Sequence, residues 1–295
     1  MGPLPFLVPV LLAPDPQAAT LPLQVDAAWL LRHLAEPGLV VAQIHTLRRD
    51  YLRGHVPGAR FLWSNAVAPS TPEGTYELPT LDQAQALFRA LGLQPGSRLV
   101  LVHSGQVPQA ARALLTFEQF GLRGRVALLD GGLEGWKAAG GRLETTEPAA
   151  APGTATAEPG GDRVVDAAYV QQHLGRTGWS LVDARAANFF QGDPGGQARG
   201  GHLPGARSLP FTTLLDGPRL KPAEELARLF AAAGLPPRGE LVAYCHIGQQ
   251  ASLVWLAARL LGYDARLYDG SFEDWAARPE LPLVKPPEPK AEPRR

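Results

Sequence analysis

Cys245 is the only cysteine of the 295-residue chain, and its position favours a reactive thiol. It follows the apolar run 240–244, which is typical of a buried strand, and begins a six-residue turn before the apolar helical segment 251–261. Such a turn directs backbone N–H groups inward, and the helix N-terminus adds partial positive charge. We therefore expect an anion-binding loop and a Cys245 thiolate near neutral pH. A buried structural cysteine is the alternative.

The chain repeats one pattern of motifs in two halves. Gly54-His-Val-Pro-Gly-Ala59 matches Gly201-His-Leu-Pro-Gly-Ala206, and Asp130-Gly-Gly-Leu-Glu-Gly-Trp136 matches Asp269-Gly-Ser-Phe-Glu-Asp-Trp275. The second histidine lies 147 residues after the first, and the second tryptophan 139 residues after its counterpart. Two motifs that recur in the same order, separated by nearly the same number of residues, indicate an internal duplication. The repeated unit has about 120 residues, the size of an ordinary domain.

Each half alternates apolar strand runs with helical patterns. We therefore predict an α/β fold in which two tandem domains each contain a parallel sheet flanked by helices on both faces. The predicted segments are an N-terminal extension (1–20), a first domain (21–146), a linker (147–162), a second domain (163–284) and a disordered tail (285–295). The linker is rich in Pro, Gly and Ala, and the tail is Pro-rich and charged.

The composition, with 45% hydrophobic and 19% charged residues, is typical of a soluble globular protein. Its 28 basic and 28 acidic residues cancel, so we expect neither a nucleic-acid nor a membrane partner. One cysteine cannot form an internal disulfide, so no oxidising compartment is needed, and we expect a cytoplasmic monomer. Residues 1–13 are apolar but contain prolines and no leading basic residue, which favours an extension or a start codon assigned too early over a signal peptide.

These motifs together resemble the rhodanese (sulfurtransferase) family in its tandem two-domain form, over nearly all of residues 21–284. The resemblance rests on both repeated motifs, on Leu181-Val-Asp-Ala-Arg185 and on the six-residue loop that begins with cysteine. It implies an inactive first domain and a catalytic second domain. In the first half, Ser104 or its neighbour stands where Cys245 stands, and Gln43 and His45 replace Asp183 and Arg185.

The resemblance implies a ping-pong reaction in which Cys245 takes sulfur from a small donor, forms a persulfide and passes the sulfur to cyanide or a thiol. No cofactor or metal is expected. Backbone N–H groups of the loop would bind the substrate. The predicted substrate-binding residues are therefore His246, Ile247, Gly248, Gln249, Gln250 and Ala251. Gly248 lets the backbone approach closely, and Ser252 adds a hydroxyl donor. The side chains of Gln249 and Gln250 either line the loop or point to solvent.

The sulfur donor implied by the resemblance is thiosulfate or 3-mercaptopyruvate. His246 and Ile247 stand where thiosulfate-using animal enzymes have two basic residues, and the loop typical of mercaptopyruvate enzymes is also absent. Phe189 stands where a second arginine is expected, and Arg199 or Arg207 could replace it. Because the carboxylate of mercaptopyruvate calls for a fork of donors, ideally arginine, we expect thiosulfate as the preferred donor and mercaptopyruvate as the alternative.

Arg185 has two interpretations in this scheme. It either contacts the substrate or forms an ion pair with Asp183 or Asp269, and in both cases these residues support the site.

Competing functions fit the loop less well. A cysteine phosphatase needs an arginine six or seven residues after the cysteine to bind phosphate, and Ala251 and Ser252 stand there. A cysteine protease needs a positioned histidine, and His246 is too near in sequence to face the sulfur easily. The alternative from another class is a carrier or binding module that accepts persulfide from a partner protein.

Overall fold

The computed structural model describes residues 20–70 and 75–285. The predicted N-terminal extension and C-terminal tail lie outside these residues, apart from one residue of each. The described part of the chain contains two five-stranded sheets with the same strand order and a small two-stranded sheet.

The first half builds one sheet in the order β1-β5-β4-β2-β3, with every pair parallel. Its strands are β1 Gln24–Val25, β2 Leu39–His45, β3 Arg60–Trp63, β4 Arg98–His103 and β5 Val126–Leu129. Its helices are α1 Ala27–His33, α2 Arg48–Tyr51, α3 Ser64–Val67, α4 Leu81–Ala90, α5 Val107–Phe117 and α6 Gly132–Ala138.

The second half repeats this arrangement in the order β6-β12-β11-β7-β8, again with parallel pairs. Its strands are β6 Val164–Val165, β7 Trp179–Asp183, β8 Arg207–Ser208, β11 Glu240–Tyr244 and β12 Asp264–Tyr268, and an antiparallel pair is formed by β9 Leu215–Asp216 and β10 Arg219–Leu220. Its helices are α7 Ala167–His173, α8 Ala187–Phe190, α9 Ala223–Ala232, α10 Ala251–Leu260 and α11 Ser271–Ala277.

Apolar packing on both faces of each sheet explains why the strands are apolar throughout. In β4, Leu99 and Leu101 belong to one buried cluster, whereas Val100 and Val102 belong to another. Successive strand side chains point to opposite faces, so both faces of this sheet are covered. The predicted α/β fold with two parallel sheets is therefore confirmed.

One apolar core joins the two halves. Helices α5 and α10 pack against each other, and Phe117 and Trp255 lie in the same buried cluster. Segment 147–162 packs along the first half: Ala157 is buried, and the Gly153 N–H donates to the Arg89 carbonyl at 2.8 Å. The chain between the two sheets is thus fixed against the first of them. Among the described residues, no helix is both long and apolar enough to cross a membrane.

Candidate active site

The Cys245 loop lies at the carboxyl edge of the second sheet. Strand β11 is central in that sheet, between β7 and β12, and Tyr244 at its end is in register with Asp183 at the end of β7. Open parallel sheets bind ligands at this edge, where loops from neighbouring strands converge. The topology therefore brings together the loop after β11, the Asp183–Arg185 segment after β7 and the Asp269 segment after β12.

The sulfur of Cys245 is surrounded by backbone donors. The residue is fully buried, and backbone N–H groups of Ile247, Gly248, Gln250 and Ala251 donate to its sulfur. These are four of the N–H groups that the sequence assigned to substrate binding. The loop can therefore stabilise negative charge on the sulfur or on an atom bonded to it.

Burial nevertheless raises the pKa of the Cys245 thiol above its ordinary value, because removing the thiolate from water outweighs the four N–H donors. The expected lowering of this pKa is therefore wrong. The sequence indicated the donors but not the complete burial of the sulfur.

Alkylation of Cys245 should follow this raised pKa. We expect the rate to rise with pH through a midpoint above about 8.5, the ordinary thiol value, because the thiolate is the reacting species. The chain has one cysteine, so iodoacetamide labelling followed by intact mass reports this residue alone. Free cysteine, titrated alongside, gives the reference midpoint. A protein midpoint at or below the reference would contradict the argument from burial.

The segment that follows β12 is hydrogen-bonded to the start of the Cys245 loop. The backbone N–H of Cys245 donates to Ser271 Oγ at 3.2 Å, and the N–H of Phe272 donates to the Cys245 carbonyl at 3.0 Å. The N–H of Glu273 donates to the His246 carbonyl at 3.0 Å. The repeated Asp-Gly motif of the second half therefore holds the start of the Cys245 loop.

Gly248 and Ser252 close the loop onto α10. Gly248 has a φ of 82°, in the left-handed region that favours glycine. The Ser252 hydroxyl donates to the Gly248 carbonyl at 2.8 Å, and the Ser252 N–H donates to the same oxygen at 3.2 Å. In this structure the Ser252 hydroxyl satisfies a loop carbonyl, and its donation to a bound anion stays a prediction. Gln249 and Gln250 are both partly buried.

Arg185 forms a buried ion pair with Asp183. Both side chains are fully buried, and Arg185 donates through Nε to Asp183 Oδ1 at 3.0 Å and through Nη2 to Oδ2 at 2.6 Å. Nη2 also donates to the Gly201 carbonyl at 2.7 Å, and the Tyr244 hydroxyl donates to Asp183 at 2.7 Å. The guanidinium lies 3.8 Å from the centre of the Phe272 ring. Of the two predicted roles, ion pairing with Asp183 is the one observed.

Asp269 does not pair with Arg185. It forms a buried ion pair with Arg112 of α5 and accepts the Leu78 N–H at 3.0 Å, so both partners come from the first half of the chain. Sequence reasoning missed Arg112. The available signal was a charged residue within the apolar run Ala110-Ala-Arg-Ala-Leu-Leu115, where an unpaired charge would be unfavourable.

The rim of the loop is aromatic. The rings of His246 and Phe189 meet edge to face with centroids 4.5 Å apart. Burial, followed by the charge of Arg185, lowers the pKa of His246. His246 is therefore mainly neutral at neutral pH, and Phe189 brings no charge to the position where a second arginine was expected.

The two predicted substitutes for the second arginine, Arg199 and Arg207, have different surroundings. Arg199 donates to backbone carbonyls of Trp275, Ala276, Arg278 and Leu281. Arg207 is in register with Val182 near the end of β7, and its side chain lies beside Gly234, which follows α9 and precedes β11. Arg199 thus fixes the turn after α11, whereas the Arg207 side chain lies beside the turn after α9.

The corresponding loop of the first half has a different construction. Ser104 follows β4 as Cys245 follows β11, but α5 already begins at Val107. The Ser104 hydroxyl lies 3.2 Å from His45 Nε2, and the Gln43 amide donates to the Gly54 carbonyl at 3.2 Å. This loop is shorter than the Cys245 loop and has neither its sulfur nor its buried ion pair, which supports the prediction that the first domain is inactive.

Comparison with known proteins agrees with this geometry. The sequence profile of the Rhodanese-like domain matches twice, over residues 26–139 and 166–278. The chain is 37% identical over 281 residues to a probable 3-mercaptopyruvate sulfurtransferase of Pseudomonas aeruginosa, covering 88% of this chain and 97% of that protein. It is 29% identical to a thiosulfate sulfurtransferase of Azotobacter vinelandii, covering 90% of this chain and 98% of that protein.

A solved structure shows the same arrangement of both halves. The crystal structure of SseA from Escherichia coli, described as a 3-mercaptopyruvate sulfotransferase, superposes with a TM-score of 0.77 at 28% sequence identity. The match covers 85% of this chain and 98% of that protein. The relatives therefore share the full two-domain architecture, and their names include both sulfur donors considered above.

Proposed function

The chain belongs to the rhodanese-like family and is a sulfurtransferase, and from this premise we propose that it takes sulfur from thiosulfate and holds it as a persulfide on Cys245. The complete burial of the sulfur among four backbone N–H donors supports this assignment most directly. Small-molecule donors and acceptors are the substrates of this reaction class.

In the first step, Cys245 as thiolate attacks the outer sulfur of thiosulfate. A new S–S bond forms, the S–S bond of thiosulfate breaks, and sulfite leaves with the bonding electron pair. The N–H groups of Ile247, Gly248, Gln250 and Ala251 stabilise the charge on the sulfur atoms. Neutral His246 and Phe189 form the rim through which the donor enters.

In the second step, the acceptor attacks the terminal sulfur of the persulfide. With cyanide, a carbon–sulfur bond forms, the persulfide bond breaks, and thiocyanate leaves while Cys245 regains its electron pair as a thiolate. The thiolate therefore returns without a proton being taken from the protein. The loop donors serve both half-reactions, because the negative charge stays on sulfur throughout.

The choice of thiosulfate is supported by the hydrogen bonds that Arg185 and Arg199 already make within the protein. Arg185 is held by Asp183 and the Gly201 carbonyl, and Arg199 by four other carbonyls. The carboxylate of mercaptopyruvate, in contrast, would need a fork of donors at the mouth of the loop. Thiosulfate is compact, so the loop N–H groups can hold it.

3-Mercaptopyruvate is the second candidate donor. The relative in Pseudomonas aeruginosa, 37% identical, is named for this activity, with the qualifier probable. In addition, Arg185 Nη1 is buried without a hydrogen-bond partner among the described residues. That nitrogen is a donor that a substrate carboxylate could use.

Steady-state kinetics with cyanide as acceptor decides between the donors. We expect a higher kcat/KM for thiosulfate than for mercaptopyruvate, and a thiosulfate value that falls steeply with ionic strength, because capture of a dianion is electrostatic. Phe189→Arg supplies the missing charge at the rim and should raise kcat/KM for mercaptopyruvate. A kcat/KM tenfold or more in favour of mercaptopyruvate in the unmodified enzyme would overturn the choice of thiosulfate.

We further infer a cytoplasmic monomer, since a chain with one cysteine needs no oxidising compartment.

A persulfide carrier would load Cys245 equally well but would pass sulfur only to a protein partner. Multiple turnovers with cyanide therefore separate the enzyme from the carrier.

A further inference from the structure

We propose that Arg112, from the first half of the chain, is a positioning residue for the Cys245 loop of the second half and acts through Asp269. This inference rests on the proposed sulfur transfer at Cys245. It gives the first domain, which has no cysteine, a defined part in the reaction.

The ion pair between Arg112 and Asp269 is buried at the junction of the two halves. The Arg112 side chain is 1% exposed and that of Asp269 is 9% exposed. Arg112 also donates through Nη2 to the Tyr76 carbonyl at 2.6 Å, while the Leu78 N–H donates to Asp269 at 3.0 Å. Two segments of the first half therefore fix one carboxylate of the second half. Removing one partner of a buried ion pair strongly destabilises a protein, because the remaining charge is buried without compensation.

Asp269 lies directly against the catalytic loop. A Cβ atom added at Gly248 would lie 3.0 Å from the Asp269 carbonyl oxygen and 3.1 Å from both Asp269 Oδ1 and Arg112 Nη1. Gly248 supplies one of the N–H groups that donate to the Cys245 sulfur. The ion pair is thus in contact with the backbone that surrounds the sulfur.

Asp269 also begins the segment that supports the loop. Ser271, two residues on, has a φ of 52°, a region that non-glycine residues seldom adopt. Its hydroxyl accepts the Cys245 N–H and donates to the Tyr268 carbonyl at 2.8 Å. Such a conformation persists only where its surroundings hold it, and the anchored Asp269 is part of those surroundings.

Glu77 explains why the charge of Arg112 is needed. Burial and the charge of Asp269 raise the pKa of Glu77 to about 7, and Arg112 acts against this rise. Asp274 adds a further negative charge, which also raises this pKa. Without Arg112, nothing would oppose this rise, so the carboxylate cluster would take up a proton at neutral pH and Asp269 would lose the cation that fixes its carboxylate.

A second ion pair between the halves provides a matched control. Arg219 of β10 pairs with Asp130, which opens the Asp-Gly motif of the first half as Asp269 opens that of the second. This pair is more exposed, at 44% and 27%, and Arg219 lies against Gly131 and Gly135 of the first half. Arg219→Met therefore removes a second cross-domain ion pair, one formed at the Asp-Gly motif of the first half instead of that of the second.

The test compares kcat/KM for thiosulfate among full-length variants whose thermal unfolding shows that they are folded at the assay temperature. We expect Arg112→Met to lower kcat/KM at least tenfold, Arg112→Lys to recover part of the loss, and Arg219→Met to stay within twofold of the parent. Because Arg112 acts through Asp269, Arg112→Met combined with Asp269→Asn should be no worse than the more impaired single variant. If Arg112→Met does not fold, Arg112→Lys is compared with Arg219→Met in its place.

A readout without substrate separates this proposal from the proposed function. The pH midpoint of Cys245 alkylation should move in Arg112→Met and stay in place in Arg219→Met. If the parent transfers no sulfur from either donor, the proposed function fails, and the alkylation midpoints still decide the role of Arg112. Unchanged midpoints, or a kcat/KM for Arg112→Met equal to that for Arg219→Met, would overturn the positioning role.

Discussion

Replacing Cys245 with serine should abolish sulfur transfer, lowering turnover by roughly 10⁴-fold or more, as expected for loss of a covalent nucleophile. Serine fills nearly the same volume and preserves the four N–H donors, but its hydroxyl cannot form a persulfide. The chain contains no second thiol that could take over the reaction. The measurement is thiocyanate production from thiosulfate and cyanide.

Ser104→Ala is the matched control for this substitution. Ser104 occupies the corresponding position after β4, so the same kind of change is made in the loop of the first half. We expect this variant to keep the parental turnover. Normal sulfur transfer by Cys245→Ser would show that the persulfide mechanism is wrong, and loss of activity in Ser104→Ala would contradict the assignment of chemistry to the second half alone.

Replacing Asp183 with asparagine should destabilise the protein by about 3–5 kcal/mol, the usual effect of removing one partner from a buried ion pair. Arg185 would remain fully buried without its countercharge, next to the Phe272 ring. The Tyr244 hydroxyl would also lose its bond to a carboxylate. The measurement is the free energy of unfolding from denaturant titration.

Asp162→Asn is the control for this loss of stability. Asp162 pairs with Arg123 at the surface, where the two side chains are 60% and 47% exposed. Solvent screens such a pair, so we expect a change below about 1 kcal/mol. A loss for Asp183→Asn as small as that for the control would mean that the Asp183–Arg185 pair does not hold this end of the sheet together.

The fold could be predicted because its determinants are local in sequence. Apolar runs at 98–102 and 240–244 indicate strands buried on both faces, and the structure places β4 and β11 there. The repeated His-x-Pro-Gly-Ala and Asp-Gly motifs indicate the duplication, since each recurs in the same order. The identity of the loop followed from one cysteine at a strand end, a local signal of the same kind.

The electrostatics of the site could not be predicted, because they depend on packing between distant segments. The pKa of Cys245 is raised because the folded chain buries the sulfur completely, which no local pattern reports. Asp269 pairs with Arg112, which lies 157 residues earlier in the chain. Arg199 was a candidate for substrate binding, but it donates to carbonyls of the turn after α11, and its spacing from Arg185 gave no indication of this.

Intact mass measurement tests the central claim, that Cys245 carries the transferable sulfur, most directly. The protein is incubated with thiosulfate, freed of small molecules, weighed, and weighed again after cyanide is added. We expect a gain of one sulfur atom, its removal by cyanide with one equivalent of thiocyanate, and no gain in Cys245→Ser. A sulfur adduct that persists in Cys245→Ser, or no adduct on the parent protein with either thiosulfate or mercaptopyruvate, would contradict it.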